Sequence, residues 1–244
     1  MELAEYKNIF ENEASHFIYL TRHQLILALF KKYVIKPRPN ILDAGCGTGL
    51  LAKKMEKFGT VWGVDLSPEA IKFAKLRGLK TKRASITHLP FKKNAFDVVT
   101  CVDVIYHKAI KDDSKALKEF FRVLKPGGLL IIRVPANKWL KLIHDQHVHT
   151  SQRYNLSELR NKLLRTGFDI KKISFIDTLL LPLAILQSLK EKIIFSDKTT
   201  SSIKLLPKPV NTLLTKILSF EIFLIAKINL PFGIGLIAVC KKPL

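Results

Sequence analysis

A chain of 244 residues, 48% of them hydrophobic, can bury one sizeable core, which excludes intrinsic disorder. Its three scattered cysteines, Cys46, Cys101 and Cys240, exclude a disulfide framework and fit a reducing compartment. The formal charge of +21 comes mainly from lysine and is spread along the chain, which suits a solvated surface or an anionic membrane or substrate better than a nucleic-acid stripe.

In chain order, "MELAEYKNIFENEASHF" carries acidic residues before any apolar run, so a signal peptide is not expected. "HQLILALFKKYV" has the spacing of an amphipathic helix, and Pro37 and Pro39 end it. Short apolar runs then alternate with helical patterns. "ILDAG" precedes "LLAKKMEKFG", and "VWGVDL" precedes "SPEAIKFAKLRG". "LKTKRAS" is a weaker strand. "AFDVVTCVDV" leads to a helix over "DDSKALKEFFRVLKPGG", and "LLIIRVPA" is the most apolar strand. Residues 136–155 are irregular. "NLSELRNKLLRTGF" is a helix that Ser157 can cap and Gly167 can end. "FDIKKISFI" and "GIGLIAVCKK" read as strands on either side of apolar helical segments. Within 213–240, Lys216, Glu221, Lys227 and Pro231 interrupt the apolar run, so no transmembrane helix is expected.

This alternation predicts an α/β fold with a doubly wound, mostly parallel seven-stranded sheet. The expected organisation is one domain over 1–244. It has a helical cap (1–38), a core (39–176), an apolar helical insertion (177–230) and a final strand (231–244).

"NILDAGCGTGL" places Gly45, Gly47 and Gly49 in a strand-to-helix turn after Asp43. Glycines there let the backbone turn sharply and approach a ligand closely. The spacing differs from the GxGxxG of pyrophosphate binders. Asp65 closes the next strand, where a carboxylate can accept two hydrogen bonds from a ribose diol.

These stretches resemble class I S-adenosylmethionine-dependent methyltransferases. "ILDAGCGTG", "GVDLSPEAI", "LPFKKNAFDVVTCVDVIYH" and "FFRVLKPGGLLIIRVP" are similar to that family's successive motifs. "HFIYLTRH", "HDQHVHTSQRYN" and "LPFGIGLIAVCKK" resemble a bacterial and archaeal subgroup associated with cell-envelope and glycan biosynthesis. The resemblance implies S-adenosylmethionine as cofactor. Asp43 and the backbone at Ala44, Gly45, Cys46, Gly47 and Gly49 would hold its amino-acid end. Asp65 would bind the ribose and Leu66 would pack on the adenine. Ser85 and Ile86 would line the adenine edge, and Cys101 and Val102 would flank the methionyl part. Arg22 would meet the carboxylate, or serve as an ordinary ion-pair partner. Ser85 stands where relatives carry an acid, and Tyr106 stands where they often carry another.

Methyl transfer to a hydroxyl needs a base, and His107, beyond the fourth strand, is one candidate. "HDQHVHT" follows the fifth strand on the same edge and can form a lid, with His144 and Asp145 as further catalytic candidates beside Arg153 and Tyr154. His147 and His149 fall where relatives carry other residues. Three histidines at this spacing do not share a helix face, so no metal site is expected.

The expected acceptor is a small molecule, a glycan or a lipid-linked compound, met in the cytoplasm or at the inner face of a membrane. Segment 177–230 packs internally, forms a homodimer face, or rests on that membrane. An RNA or DNA methyltransferase is the rival enzyme, although no Pro-Pro-aromatic run or Pro-Cys pair is present. A non-catalytic scaffold of the same fold is the rival of another class.

Overall fold

The computed structural model describes residues 3–140, 150–193 and 206–244. Two helices, α1 (Leu3–Asn12) and α2 (Phe17–Tyr33), come first. Then follow β1 (Asn40–Ala44), α3 (Leu50–Met55), β2 (Thr60–Asp65), α4 (Pro68–Leu76), β3 (Lys80–Arg83) and β4 (Phe96–Val102). After these come α5 (Asp113–Val123), β5 (Leu124–Pro135), α6 (Leu156–Arg165) and β6 (Asp169–Ile176). The helices α7 (Leu181–Ile193) and α8 (Lys208–Lys227) lead to β7 (Gly235–Lys241).

The strands lie in the order β3-β2-β1-β4-β5-β7-β6. β1 to β5 pair in parallel, while β7 runs antiparallel between β5 and β6. The sheet is therefore doubly wound and mostly parallel, as the alternation predicts. Successive residues of the central strands feed opposite faces, because strand side chains alternate. Leu42, Val99, Leu130 and Ile132 meet Leu117 and Phe120 of α5 and Leu159 and Leu163 of α6. Ile41, Val98 and Ile131 meet Leu25, Ile26, Leu29 and Phe30 of α2. The order reverses at β1, which has β2 on one side and β4 on the other. A crevice forms where such neighbours diverge, outside the strands' carboxyl ends.

Two local expectations are corrected. The sequence predicts that the helix of "DDSKALKEFFRVLKPGG" runs to Gly128, but α5 stops at Val123 and β5 starts at Leu124. Pro126 enforces the stop, since it has no N–H for the Arg122 carbonyl and disfavours a helical Lys125; Lys242 Nζ then donates to the Phe121 and Leu124 carbonyls at 2.8 and 2.7 Å. Ser157 does not cap α6; Asn155 holds the cap position, without a side-chain bond, and Ser157 lies inside the first turn. Gly167 does follow the helix, with φ +99°.

By length and composition alone, α8 is apolar enough to cross a membrane, despite the interruptions that argue against a span in the sequence. Here it lies along α2. Asn211 accepts from the Phe17 amide and donates to the Ser15 carbonyl, both at 2.9 Å. Leu218, Glu221 and Ile225 are buried, while Leu213, Phe220 and Phe223 face outward with Leu183, Leu186 and Leu189 of α7.

Candidate active site

A cavity of about 750 Å³ opens at the carboxyl ends of β1, β2 and β4. Ligand pockets commonly measure ~300–1,000 Å³. Its first wall is the glycine turn. Gly45, Gly47 and Gly49 have φ of +84°, +53° and +88°, a region costly for any residue with a Cβ. The amides of Gly45 and Cys46 both donate to the Val64 carbonyl, which fastens the turn to β2. Asp65 accepts from the Gly47 amide on one oxygen and from the Ser67 amide on the other, each at 2.9 Å. Burial pushes its carboxyl up, while the Ser67 and Gly47 amides pull it back. Asp43 accepts from Thr100 Oγ1 at 2.7 Å, yet burial carries its pKa to about 6.

The second wall comes from α1 and α2 and includes Tyr6, Ile9, Glu13, His16, Tyr19 and Arg22. Glu13 clasps it to the turn, accepting from Thr48 Oγ1 and from Arg77 Nη2, the latter at 2.7 Å. Arg77 also donates to the Thr48 carbonyl at 3.0 Å and lies over the Phe10 ring. These wall residues are absent from the sequence-based site apart from Arg22. "HFIYLTRH" carries two of the others, His16 and Tyr19, but nothing in its spacing says which face turns inward.

Of the residues expected to hold cofactor, Asp43, Gly45, Cys46, Gly47, Asp65, Leu66, Val102 and Arg22 line the cavity. Ala44, Gly49, Ser85, Ile86 and Cys101 are not in its wall. Ala44, Ile86 and Cys101 are buried in the core on one face of the sheet. Gly49 caps α3. Ser85 Oγ is engaged by Thr87, accepting from its amide at 3.2 Å and meeting its hydroxyl at 2.9 Å. Arg22 lies 3.3 Å from Asp103, an acid the sequence does not single out. Asp103 sits at φ +62° and also receives Arg133 Nη1. Burial alone would raise its carboxyl, but Arg133 and Arg22 hold it below the usual range.

His107 and Arg153 also line the cavity. His107 Nδ1 accepts from the Ala109 amide at 3.1 Å, so the neutral ring carries its proton on Nε2. Service as a base through Nε2 would exchange this bond for a proton on Nδ1. Tyr154 is a core residue, donating to Asp113 at 2.7 Å. His144, Asp145, His147 and His149 lie outside the described residues. Among the described residues, no three of His, Cys, Asp and Glu gather as a metal would need.

Residues 42–132 match a methyltransferase domain family. They form a class I S-adenosylmethionine-dependent methyltransferase domain. An uncharacterised protein of Methanocaldococcus jannaschii is 40% identical over 109 residues, 45% of this chain and 46% of that protein. A ubiquinone biosynthesis O-methyltransferase of Xanthomonas oryzae is 33% identical over 120 residues, 44% of this chain and 49% of that enzyme. The chain thus spans about half the length of these curated relatives. Among solved structures, phosphoethanolamine N-methyltransferase 2 of Haemonchus contortus with S-adenosyl-L-methionine has a TM-score of 0.61 and 25% identity, covering 91% of this chain and 52% of that one.

The methyltransferase domain's cofactor is S-adenosylmethionine, and the turn fits it. A Cβ on Gly47 would meet no chain atom within 4 Å, so that glycine borders open space. Asp65 stands beside that space, its oxygens fixed by two amides but with lone pairs to spare.

One consequence concerns His23 on α2, whose Nδ1 lies 3.2 Å from Lys54 Nζ. Burial, then the nearby Lys54 and Arg22 charges, bring its pKa from 6.5 down to about 3. The unfolded chain protonates this ring below pH 6.5, and the folded chain resists until about pH 3. Stability from the neutral ring is therefore complete above the upper value and lost as pH falls through the window. Melting temperature measured between pH 7 and pH 4 is expected to fall less steeply in His23→Gln than in the parent.

Proposed function

We propose that this chain moves the methyl group of S-adenosylmethionine to an amphiphilic or lipid-linked acceptor of the cell-envelope or glycan-precursor kind. One observation carries the reading. The cavity that begins at Asp43 and Asp65 continues without a partition to Leu180, Leu183 and Ala184 at α7 and Leu214 of α8. Cofactor and apolar helices therefore share one space.

Bound S-adenosylmethionine supplies a methyl group already activated on a sulfonium. The chain's own task is to hold the acceptor in line with it, and such positioning is worth ~7–11 kcal/mol. Asp65 orients the ribose end. Asp43 and the Gly45–Gly47 backbone face the amino-acid end. Glu13, Thr48 and Arg77 keep α1 over the turn and exclude water. The same proposal has the chain working in the cytoplasm, peripherally at the inner face of a membrane, with the outward leucines of α7 and phenylalanines of α8 touching lipid.

Incubation with tritium-labelled S-adenosylmethionine and, separately, a lipid extract, a glycan fraction and total RNA tests the acceptor. Label is expected to partition into organic solvent from the lipid arm. Transfer to RNA instead, with binding that weakens steeply with salt, would replace this reading. In flotation with anionic vesicles, the parent is expected to rise with lipid and a Leu186→Asp, Phe223→Asp double variant to stay below. A variant that floats equally well, or a parent that is a dimer through this face, would remove the membrane contact.

A further inference from the structure

One face of α1 covers the cofactor end of the cavity. Tyr6, Ile9 and Glu13 all line that cavity, and their spacing of three and four residues stacks them along one side of the helix. Glu13 continues the last helical turn, its amide donating to the Ile9 carbonyl at 2.8 Å. At one end of this face Tyr6 is hydrogen-bonded to Ser67 and feels the charge of Asp65. At the other end Glu13 holds Thr48, which stands between Gly47 and Gly49 in the turn. A cofactor that reaches from Asp65 to the turn therefore lies beneath α1.

Two side chains fasten the helix to the turn. Arg77, at the end of α4, donates through Nη2 to Glu13 at 2.7 Å and to the Phe10 carbonyl at 3.2 Å, one of the last four carbonyls of α1. Through Nε it donates to the Thr48 carbonyl at 3.0 Å. Glu13 Oε1 accepts from Arg77 and from Thr48 Oγ1 together. Thr48 is thus gripped by its hydroxyl and by its carbonyl, one from each partner. The Phe10 ring adds apolar contact, its centre 4.8 Å from that of Phe73.

Glu13 is only 4% exposed. Burial pushes its carboxyl up, and Thr48 and Arg77 pull it back. A buried ion pair commonly adds little net stability, because desolvation offsets the attraction between its charges. What this pair adds is a defined geometry between a covering helix and a turn whose backbone passes close to the ligand. The contact of Phe10 with Phe73 would hold the helix without fixing Thr48. Covers of this kind govern when ligands enter and when products leave.

We propose that Glu13 is a positioning residue for the cofactor: acting through Thr48 and Arg77, it latches α1 over the occupied turn, and the latch opens each time S-adenosylmethionine enters or S-adenosylhomocysteine leaves. This goes beyond the acceptor class given above and rests on that reading only for the place of the cofactor.

A chase experiment with the full chain tests it. Protein loaded with tritium-labelled S-adenosylmethionine is chased with excess unlabelled cofactor to give the release rate, and calorimetry gives the affinity. Glu13→Ala is expected to release label at least tenfold faster, while affinity falls by a smaller factor because entry quickens too. Arg77→Gln, which withdraws the other half of the latch, should behave alike. Glu13→Gln keeps an oxygen for Thr48 and should lie between parent and alanine. As a control, Asp97→Asn breaks the ion pairs with Lys36 and Lys125 at the far end of β4, and should lower melting temperature with parental release. Parental release in both Glu13→Ala and Arg77→Gln would overturn the latch. So would an affinity loss as large as the gain in release, the signature of a lost contact rather than an opened cover. Release quickened equally in Asp97→Asn would mark a general loosening of the fold, and that too would overturn the proposal. A parent that binds no labelled cofactor would overturn the place of the cofactor and the latch with it.

Discussion

Replacing Asp65 with alanine is expected to weaken S-adenosylmethionine binding at least a hundredfold, as calorimetry would measure. In the proposed binding mode the carboxylate would accept from both hydroxyls of a ribose, and a hydrogen bond to a charged group contributes about 1.5–3 kcal/mol. Two such bonds come to about 3–6 kcal/mol, at 1.4 kcal/mol for each factor of ten. A second loss adds to the first. The Gly47 and Ser67 amides, now held at 2.9 Å by the same side chain, would no longer be fixed around the ligand. Asp65→Asn keeps the shape and one acceptor oxygen and should fall between the two. An alanine variant with parental affinity would mean that the ribose is held elsewhere.

The second large effect separates two glycines of one turn. A Cβ on Gly45 would lie 2.2 Å from Val104 Cγ2 and 2.6 Å from Cγ1, at a φ of +84°. Backbone strain of about 1–3 kcal/mol adds to overpacking of similar size. Gly45→Ala is therefore expected to lower the melting temperature by roughly 10 °C for a domain of this length. Gly47→Ala meets no protein atom and should cost only about 1–2 kcal/mol from its positive φ. Its methyl group, however, projects where the cofactor would pass, so S-adenosylhomocysteine affinity should drop tenfold or more while the fold survives. Parental affinity in Gly47→Ala would mean that the cofactor does not cross this turn.

Much of the sheet is legible in the sequence because burial on both faces leaves uniform apolar runs. "ILDAG", "VWGVDL" and "LLIIRVPA" correspond to β1, β2 and most of β5. The ends are less legible: Pro126 bars α5 from continuing, but the residue that satisfies its freed carbonyls is distant. Nothing near Val123 announces that Lys242, more than a hundred residues away, will take the Phe121 and Leu124 carbonyls. That Gly45, Gly47 and Asp65 line the cavity is legible for a related reason. Their places follow from backbone geometry and strand ends, which local spacing encodes. Ser85, Ile86 and Cys101 show the limit. Proximity along a strand places them near the crevice, but only the pleat and local hydrogen bonds decide which way each side chain turns. The acceptor end is hardest to read. Asp103, Arg133 and Asp177 come from three separate segments and meet only once β4 and β5 are paired and β7 has joined β6 to them.

The place of β7 has a consequence for how the molecule is made. It is the last of the seven strands to leave the ribosome, yet it lies inside the sheet and is the strand that joins β6 to β5. Until it emerges, the nascent chain has finished β1 to β5 with an open hydrogen-bonding edge and holds β6 with no neighbour to pair with. The greasy helices α7 and α8 are synthesised in that interval. A stalled or clipped chain lacking β7 would therefore expose both an unpaired strand and the apolar helices. It should be a substrate for chaperones and proteases rather than a partly active enzyme.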